Sequence, residues 1–172
     1  YTRWSMRSLT LVLALPALLV PVLLLPLPVD PAAAAPPMLP GWPQFMGVPG
    51  VFAPVSVTLA DLDGDGNLEV IAGSTDNFMR VWNHDGILLA GWPVNLGGQV
   101  QSKAAAADLD GDGDLEILVA VKTGMLHVLH ANGAPLAGWP KPWGGSFGFI
   151  APSVRDLDGD GRPEVLIGGG GT

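Results

Sequence analysis

The hydrophobic and polar positions between residues 55 and 140 form short apolar stretches separated by turns rich in Gly, Asn and Asp. Stretches as short as Phe78–Trp82 and Met125–Leu129, bounded by turn residues, are typical of β-strands. The stretch Ile117–Val121 is apolar at every position, which indicates a strand that other sheets cover on both faces. These patterns predict an all-β protein.

These stretches belong to a unit that recurs every 47 to 50 residues. The string DLDGDG begins at Asp61, Asp108 and Asp156, and the string Gly-Trp-Pro begins at Gly41, Gly91 and Gly138. Two separate markers with nearly the same period indicate a repeat protein. The predicted units span about residues 44–93, 94–140 and 141–172, and the last of them is truncated.

Each unit has room for four strands. In the first unit we predict strands at Val55–Leu59, Leu68–Gly73 and Phe78–Trp82, and a fourth that carries Leu88 and Leu89 into Gly-Trp-Pro. Four-stranded sheets that recur at this period are the sequence signature of β-propeller blades. The predicted fold is a partial β-propeller with about two full four-stranded blades and part of a third.

The loops that begin with DLDGDG contain thirteen of the sixteen acidic residues. Four or five carboxylates within nine residues repel one another unless a cation lies between them. In D-x-D-x-D-G the side chains at positions 1, 3 and 5 converge, Gly at position 6 permits a sharp bend, and position 7 offers its backbone carbonyl. This coordination by oxygen alone suits Ca²⁺ better than Mg²⁺, which demands a stricter octahedral geometry.

Two other interpretations share this opening string. An EF-hand or a dockerin loop needs a bidentate acid at position 12 and a helix after it, but position 12 is Ala72, Val119 or Ile167. The acid falls instead at position 9, at the start of a strand-like run. A plain surface turn explains a single Asp-Gly-Asp-Gly string, but three copies in register argue against it.

The segments DLDGDGNLEVIAGS, DLDGDGDLEILVAV and APSVRDLDGDGRPEVLIGG resemble the FG-GAP or VCBS type repeats, the family that includes the integrin α-subunit β-propeller. The resemblance covers residues 41–172 and implies about seven blades with Ca²⁺ between the first two strands of a blade. No clear Phe-Gly…Gly-Ala-Pro string is present, although Phe147-Gly148 and Ala151-Pro152 are similar to it. With two full units and part of a third, we expect the chain to be part of a longer propeller.

The resemblance also implies ligation through loop positions 1, 3, 5, 7 and 9, for up to three Ca²⁺ ions. Position 7 ligates through its backbone carbonyl, so its side chain is free to differ between loops. The implied ligands are Asp61, Asp63, Asp65, Asn67 and Glu69 in the first loop, Asp108, Asp110, Asp112, Asp114 and Glu116 in the second, and Asp156, Asp158, Asp160, Arg162 and Glu164 in the third.

The first 34 residues have the pattern of a secretory signal peptide. Arg3 and Arg7 precede an uncharged apolar run of nineteen residues, and small alanines follow, which predicts cleavage after Ala34. Nineteen residues also reach the lower limit for a membrane anchor, the alternative interpretation, although three prolines in the run disfavour a spanning helix. Both interpretations place the repeats at residues 35–172 outside the cytoplasm, in a secreted, periplasmic or cell-surface protein.

Composition and charge exclude several classes of binding partner. The formal charge of −8 offers no basic surface for nucleic acid or for an anionic membrane, and we expect no membrane span once the signal is removed. Zero cysteines exclude disulfides and thiolate metal sites. We expect Trp42, Trp92 and Trp139 to pack between blades rather than to stack on sugars. We expect the three histidines, His84, His127 and His130, to lie on the surface.

These observations favour a module that binds over one that catalyses. The expected function is a calcium-binding module in adhesion or scaffolding, with a protein or carbohydrate ligand and with self-association through exposed strand edges. The alternative is part of an exported polysaccharide-active enzyme, which would need convergent His, Arg or Tyr, and Tyr1 is the only tyrosine. A quinone-cofactor propeller ranks last because it does not need DLDGDG in every blade.

Overall fold

A computed structural model of the chain describes residues 38–44, 46, 56–145 and 150–168. The predicted signal peptide at residues 1–34, the Phe147-Gly148 pair and Val55 lie outside these residues. The chain divides into two units, Tyr1–Pro36 and Pro37–Thr172, and every described residue belongs to the second. Within that described part, no helix is long and apolar enough to cross a membrane.

The described residues form antiparallel β-sheets and no helix. The first four-stranded sheet contains β1 (Val57–Ala60), β2 (Glu69–Gly73), β3 (Phe78–Trp82) and β4 (Val94–Asn95), in that order. The second contains β5 (Ala105–Ala107), β6 (Glu116–Ala120), β7 (Met125–Leu129) and β8 (Lys141–Pro142) in the same order. The third unit contributes the pair β9 (Ser153–Arg155) and β10 (Glu164–Leu166). The predicted all-β fold with four-stranded blades is confirmed.

The fourth strand of each full sheet lies later in the chain than the sequence indicated. Leu88 makes only an isolated bridge with Trp82, and the chain then turns where the Trp92 N–H donates to the Leu89 carbonyl at 3.1 Å. It returns to the sheet after Gly-Trp-Pro, where Val94 pairs with Met79. The prediction of a strand running into Gly-Trp-Pro was wrong because this corner interrupts the edge and moves the ladder beyond the proline.

Successive sheets stack face to face, and their core lies between them. Ile71, Met79 and Val81 of the first sheet pack in one buried cluster with Ile117 and Val119 of the second. The opposite face of the second sheet forms another cluster with the third unit, composed of Leu118, Ala120, Leu126, Val128, Ile150, Val154, Val165 and Ile167. The second sheet is therefore covered on both faces, which explains the continuous apolar run in β6.

The Gly-Trp-Pro corners at Trp42 and Trp92 each contact the hairpin turn that follows them in the chain. The Trp92 indole N–H donates to the Ala131 carbonyl at 2.7 Å, and the Trp42 indole N–H donates to the His84 carbonyl at 2.9 Å. A Cβ on Gly91 would overlap the Asn132 carbonyl oxygen, so only glycine permits this close approach. The prediction that the tryptophans pack between blades is confirmed for Trp92 and Trp139, which pack in or against the clusters between successive sheets. Trp42 packs against Trp82 of the first sheet, and its position between blades stays a prediction.

Candidate metal centres

Each acidic loop joins the first and second strands of its unit, and the same two hydrogen bonds shape all three loops. The position-1 aspartate accepts the N–H of the position-6 glycine: Asp61 from Gly66 at 3.0 Å, Asp108 from Gly113 at 3.1 Å and Asp156 from Gly161 at 3.0 Å. The position-9 glutamate accepts the N–H of the position-2 leucine at 2.8 Å in every loop. Each loop is therefore closed across its full length by its own carboxylates.

The position-9 glutamates are buried in the first two loops, and Glu164 of the third loop is half-buried. Glu69 is 1% exposed and Glu116 is 0% exposed, although both begin strands next to other acids. Burial raises the pKa of Glu69, the Leu62 N–H opposes this, and the nearby charges of Asp63, Asp65 and Asp61 raise the pKa further. A negative charge on Glu69 is therefore unfavourable unless a cation compensates it.

The loops bring their carboxylates close enough to share an ion. In each group below, one ligand atom from every residue lies within 4.8 Å of the others. The groups are Asp61, Asp63 and Glu69 in the first loop, Asp108, Asp110 and Asp112 in the second, and Asp156, Asp158 and Glu164 in the third. Positions 1 and 3 meet in all three loops, joined by position 9 in two of them and by position 5 in one.

Some predicted ligands lie outside these groups. The position-5 aspartates Asp65 and Asp160 lie outside them, although all three position-5 aspartates accept the N–H of position 7: Asp65 from Asn67 at 2.7 Å, Asp112 from Asp114 at 2.9 Å and Asp160 from Arg162 at 2.8 Å. These bonds from Asn67, made by its backbone and its side chain, lower the pKa of Asp65. Asp114 also lies outside the carboxylate groups. Its predicted role uses the backbone carbonyl, so its side chain need not join the other carboxylates.

The chemistry of the first loop fits a hard cation. Asp61 Oδ1 is buried and has no hydrogen-bond partner, an arrangement that a bound cation would satisfy. The salt bridge of Arg80 is made with Asp76 and not with a loop carboxylate. Three or more converging carboxylate oxygens are the ligands that Ca²⁺ binds in proteins.

One candidate ligand was missed by sequence reasoning. His130 Nδ1 lies 3.1 Å from Glu116 Oε1, and Asp110, Glu116 and His130 form a further group of potential metal ligands. The β6–β7 register pairs Ile117 with Leu129, so one more step places Glu116 opposite His130. This register was the available signal, because it follows from the two strand predictions and the turn between them.

The histidines differ in their surroundings, which partly corrects the prediction that all three lie on the surface. His84 is exposed. His127 Nε2 is buried without a hydrogen-bond partner, and burial lowers the pKa of His127. The side chain of His130 is 33% exposed and contacts a fully buried acid. The prediction was wrong for His127 because its position in β7 places the ring between packed sheets.

Together, the stacked four-stranded sheets and their acidic loops define a repeat protein with one candidate cation site per unit. Residues 61–119 and 108–167 match the FG-GAP-like repeat. Because these matches span more than half of the chain, the chain belongs to the FG-GAP-like repeat family. The resemblance of its DLDGDG segments to that family is confirmed, and the closer likeness to the integrin α-subunit stays a prediction.

No curated protein matches the chain. Among solved structures, the chain is similar to BBS1N, whose crystal structure was determined in complex with ARL6DN and soaked with lead. The sequence identity is 12% and the TM-score is 0.48, over 76% of this chain and 42% of that one. It is also similar to the V. cholerae biofilm matrix protein Bap1, at 23% identity and a TM-score of 0.36, over 65% of this chain and 23% of that one. The chain thus spans less than half the length of either structure.

Proposed function

We propose that the chain is a calcium-binding β-propeller module of a secreted or cell-surface protein, and that it acts in binding, adhesion or scaffolding rather than in catalysis. The observation that carries the proposal is the convergence of carboxylates in three loops with the same internal hydrogen bonds. A single acidic cluster is ordinary on a protein surface, but the same closed loop in three successive units indicates selection for a common ligand.

Bound calcium would offset the repulsion between the carboxylates of each loop. Each loop concentrates four or five acids on a chain whose formal charge is −8, and three bound Ca²⁺ ions would remove six of those negative charges. Glu69, Glu116 and the unpartnered Asp61 Oδ1 would gain most, because they are buried and low-dielectric surroundings strengthen the attraction to a cation. In this role the ion fixes the connection between the first two strands of each blade.

The hydrogen bonds of the loops support a binding role over catalysis. Their carboxylates accept backbone N–H groups, so they hold the loop in shape and are poorly placed to exchange protons with a substrate. Rigid loops at the ends of strands provide a surface for a protein or carbohydrate ligand. Export of the module rests on the signal-like pattern of residues 1–34.

The first test compares thermal unfolding of the chain in EDTA with unfolding in Ca²⁺. Sites of the extracellular kind have Kd values of roughly 10⁻⁴–10⁻³ M, and a hundredfold excess over Kd adds about 2.7 kcal/mol per site. We expect a clear rise in Tm with Ca²⁺, and calorimetric titration should count up to three ions. Asp61→Asn keeps an acceptor for the Gly66 N–H, so it should remove one site and leave the fold.

An unchanged Tm and no heat of binding would contradict calcium binding. A second arm addresses catalysis: the calcium-loaded chain is incubated with a panel of acidic and neutral polysaccharides. Retention on an immobilised polysaccharide without new chain ends supports a binding module. Release of oligosaccharides would instead favour the alternative, a polysaccharide-active enzyme.

A further inference from the structure

We propose that the second unit carries a site for a divalent transition-metal ion, formed by Asp110, Glu116 and His130. One potential ligand atom from each of these residues lies within 4.8 Å of the other two. The inference does not depend on calcium binding, although Asp110 and Glu116 also belong to the proposed calcium loop. Ca²⁺ and a transition-metal ion would therefore compete at the second loop, and not at the other two loops.

The distances suit a shared ion. Glu116 Oε1 and His130 Nδ1 are 3.1 Å apart. Ligands bound to one Zn²⁺ at 2.0–2.2 Å are separated from each other by about 3–3.5 Å, so this pair already has the spacing of one edge of a coordination polyhedron. A small adjustment of the exposed Asp110 side chain is enough to bring the third ligand in.

Both the acid and the imidazole are held in place by groups outside the site. Glu116 Oε2 accepts the Leu109 N–H at 2.8 Å, which leaves Oε1 directed to the histidine. The His130 N–H donates to the Ala134 carbonyl at 2.9 Å, and the His130 carbonyl accepts the Gly133 N–H at 2.9 Å, which fix the backbone beneath the ring. Supported ligands of this kind lose little freedom when a metal binds.

An ion can reach the site from solvent. A cavity next to the pair is lined by Asp114, Glu116, His130, Ala131 and Asn132. The imidazole is 33% exposed there, whereas the glutamate is fully buried. Asp114 adds a further carboxylate to the wall, which attracts a cation and offers a place for a metal-bound water.

The imidazole selects the class of metal. Ca²⁺ takes oxygen ligands, whereas imidazole nitrogen suits Zn²⁺, Ni²⁺, Cu²⁺ and Fe²⁺. Zn²⁺ binds both imidazole nitrogen and carboxylate oxygen, and sites with three protein ligands keep water in the remaining position. A borderline transition-metal ion therefore fits this group better than it fits an acidic loop alone.

The first unit shows what the histidine changes. Asp63 and Glu69 occupy the positions of Asp110 and Glu116, but Asn83 stands where the second unit has His130. Asn83 Oδ1 already accepts the N–H groups of Asp85 and Ile87, at 3.1 and 2.9 Å, and so serves the turn. Within the proposed ligand triad the two units differ only at this side chain, which makes the proposal directly testable.

The experiment titrates Zn²⁺, and separately Co²⁺ as a spectroscopic probe, into the full metal-free chain. The wild type should bind one Zn²⁺ more tightly than any acidic loop binds it, with a Co²⁺ absorption band that reports nitrogen ligation. His130→Asn should weaken this binding by at least about tenfold and remove the band. It should also fold normally, because Asn83 occupies the same place in the first unit.

Two further variants act as controls. His84→Asn changes an exposed histidine outside the group and should leave Zn²⁺ binding unchanged. Asn83→His installs the same triad in the first unit and should add a second equivalent. Should His130→Asn fail to fold, this gain and histidine NMR of the wild type, in which one ring alone shifts with Zn²⁺, still decide the question.

The outcomes separate cleanly. Zn²⁺ affinity that is the same in the wild type and in His130→Asn would overturn the proposal, and would show that His130 serves only as a hydrogen-bond partner of Glu116. Loss of Zn²⁺ binding in His130→Asn with an intact calcium response supports it. Absence of a calcium response in every form, with Zn²⁺ binding retained, would refute the proposed calcium function and leave this site standing.

Discussion

The glutamate at position 9 combines two tasks in one side chain. In the first loop one oxygen of Glu69 accepts the Leu62 N–H, while its carboxylate also belongs to the group with Asp61 and Asp63. The hydrogen bond needs an acceptor, whereas cation binding needs a negative charge. A substitution that keeps the acceptor but removes the charge therefore separates the two tasks.

Replacing Glu69 by Ala removes both the charge and the acceptor. The buried Leu62 N–H is left unsatisfied, which should cost about 1–3 kcal/mol in the free energy of unfolding in EDTA. Glu69→Gln keeps an acceptor and removes a buried charge next to three aspartates, so it should cost less than Ala or raise stability in EDTA. Chemical denaturation measures both variants, and equal losses would contradict a role for the hydrogen bond.

Sequence reasoning found the acidic residues of the site but not its histidine. The spacing of Asp61, Asp63 and Glu69 follows from the loop alone, because these residues are neighbours in the chain. His130 approaches Glu116 across a hairpin, fourteen residues apart, and so depends on the strand register. A single prediction of surface positions for all three histidines therefore missed both the contact of His130 and the burial of His127 Nε2.

At the scale of elements, the Gly-Trp-Pro corner joins one unit to the next. Gly91 has a φ of 90°, and its Cα faces the Asn132 carbonyl of the following turn. Gly138 occupies the same corner of the second unit with a φ of 84°, but no atom lies within 4 Å of the place where its Cβ would be. The two corners thus share a backbone conformation and differ in their neighbours.

This pair gives a matched test of the junction. Gly138→Ala should cost only the strain of a positive φ, about 1–2 kcal/mol. Gly91→Ala adds overlap with the Asn132 carbonyl and should cost a further ~1–3 kcal/mol, because the two units must move apart. Urea unfolding of both variants checks this. Similar losses in the two would show that the corner does not hold the units together.

The corner also explains the error in the fourth strand. Short apolar stretches between turns identified the first three strands because β2 and β3 carry buried residues such as Ile71 and Val81 that form the core. β4 is two residues long and half exposed or exposed, so it has no hydrophobic pattern to read. Its position is set by the turn at Gly91 and by backbone pairing with Met79, which are contacts that a sequence pattern does not contain.

At the scale of the whole molecule, the sheets stack, and equivalent faces of the first and second sheets differ in whether another sheet packs against them. Ile117 and Val119 face the first sheet and are fully buried. The equivalent face of the first sheet carries Leu59, 59% exposed, and Leu68, 51% exposed. With Leu39, Trp42, Val70 and His84, these residues line an open apolar cavity. Among the described residues, the first sheet therefore exposes the face that the second sheet buries.

We expect this face to be covered in solution by another sheet, which a second copy of the chain can supply. Leu59→Arg places a charge at the centre of the face, and should weaken self-association at least about tenfold in sedimentation equilibrium because a buried unpaired charge opposes contact. Ile87→Arg is the matched control, since Ile87 is 63% exposed but lies in the hairpin turn outside the cavity lining. Association that resists Leu59→Arg, or that Ile87→Arg disrupts equally, would place the contact elsewhere, for instance along the strand edges.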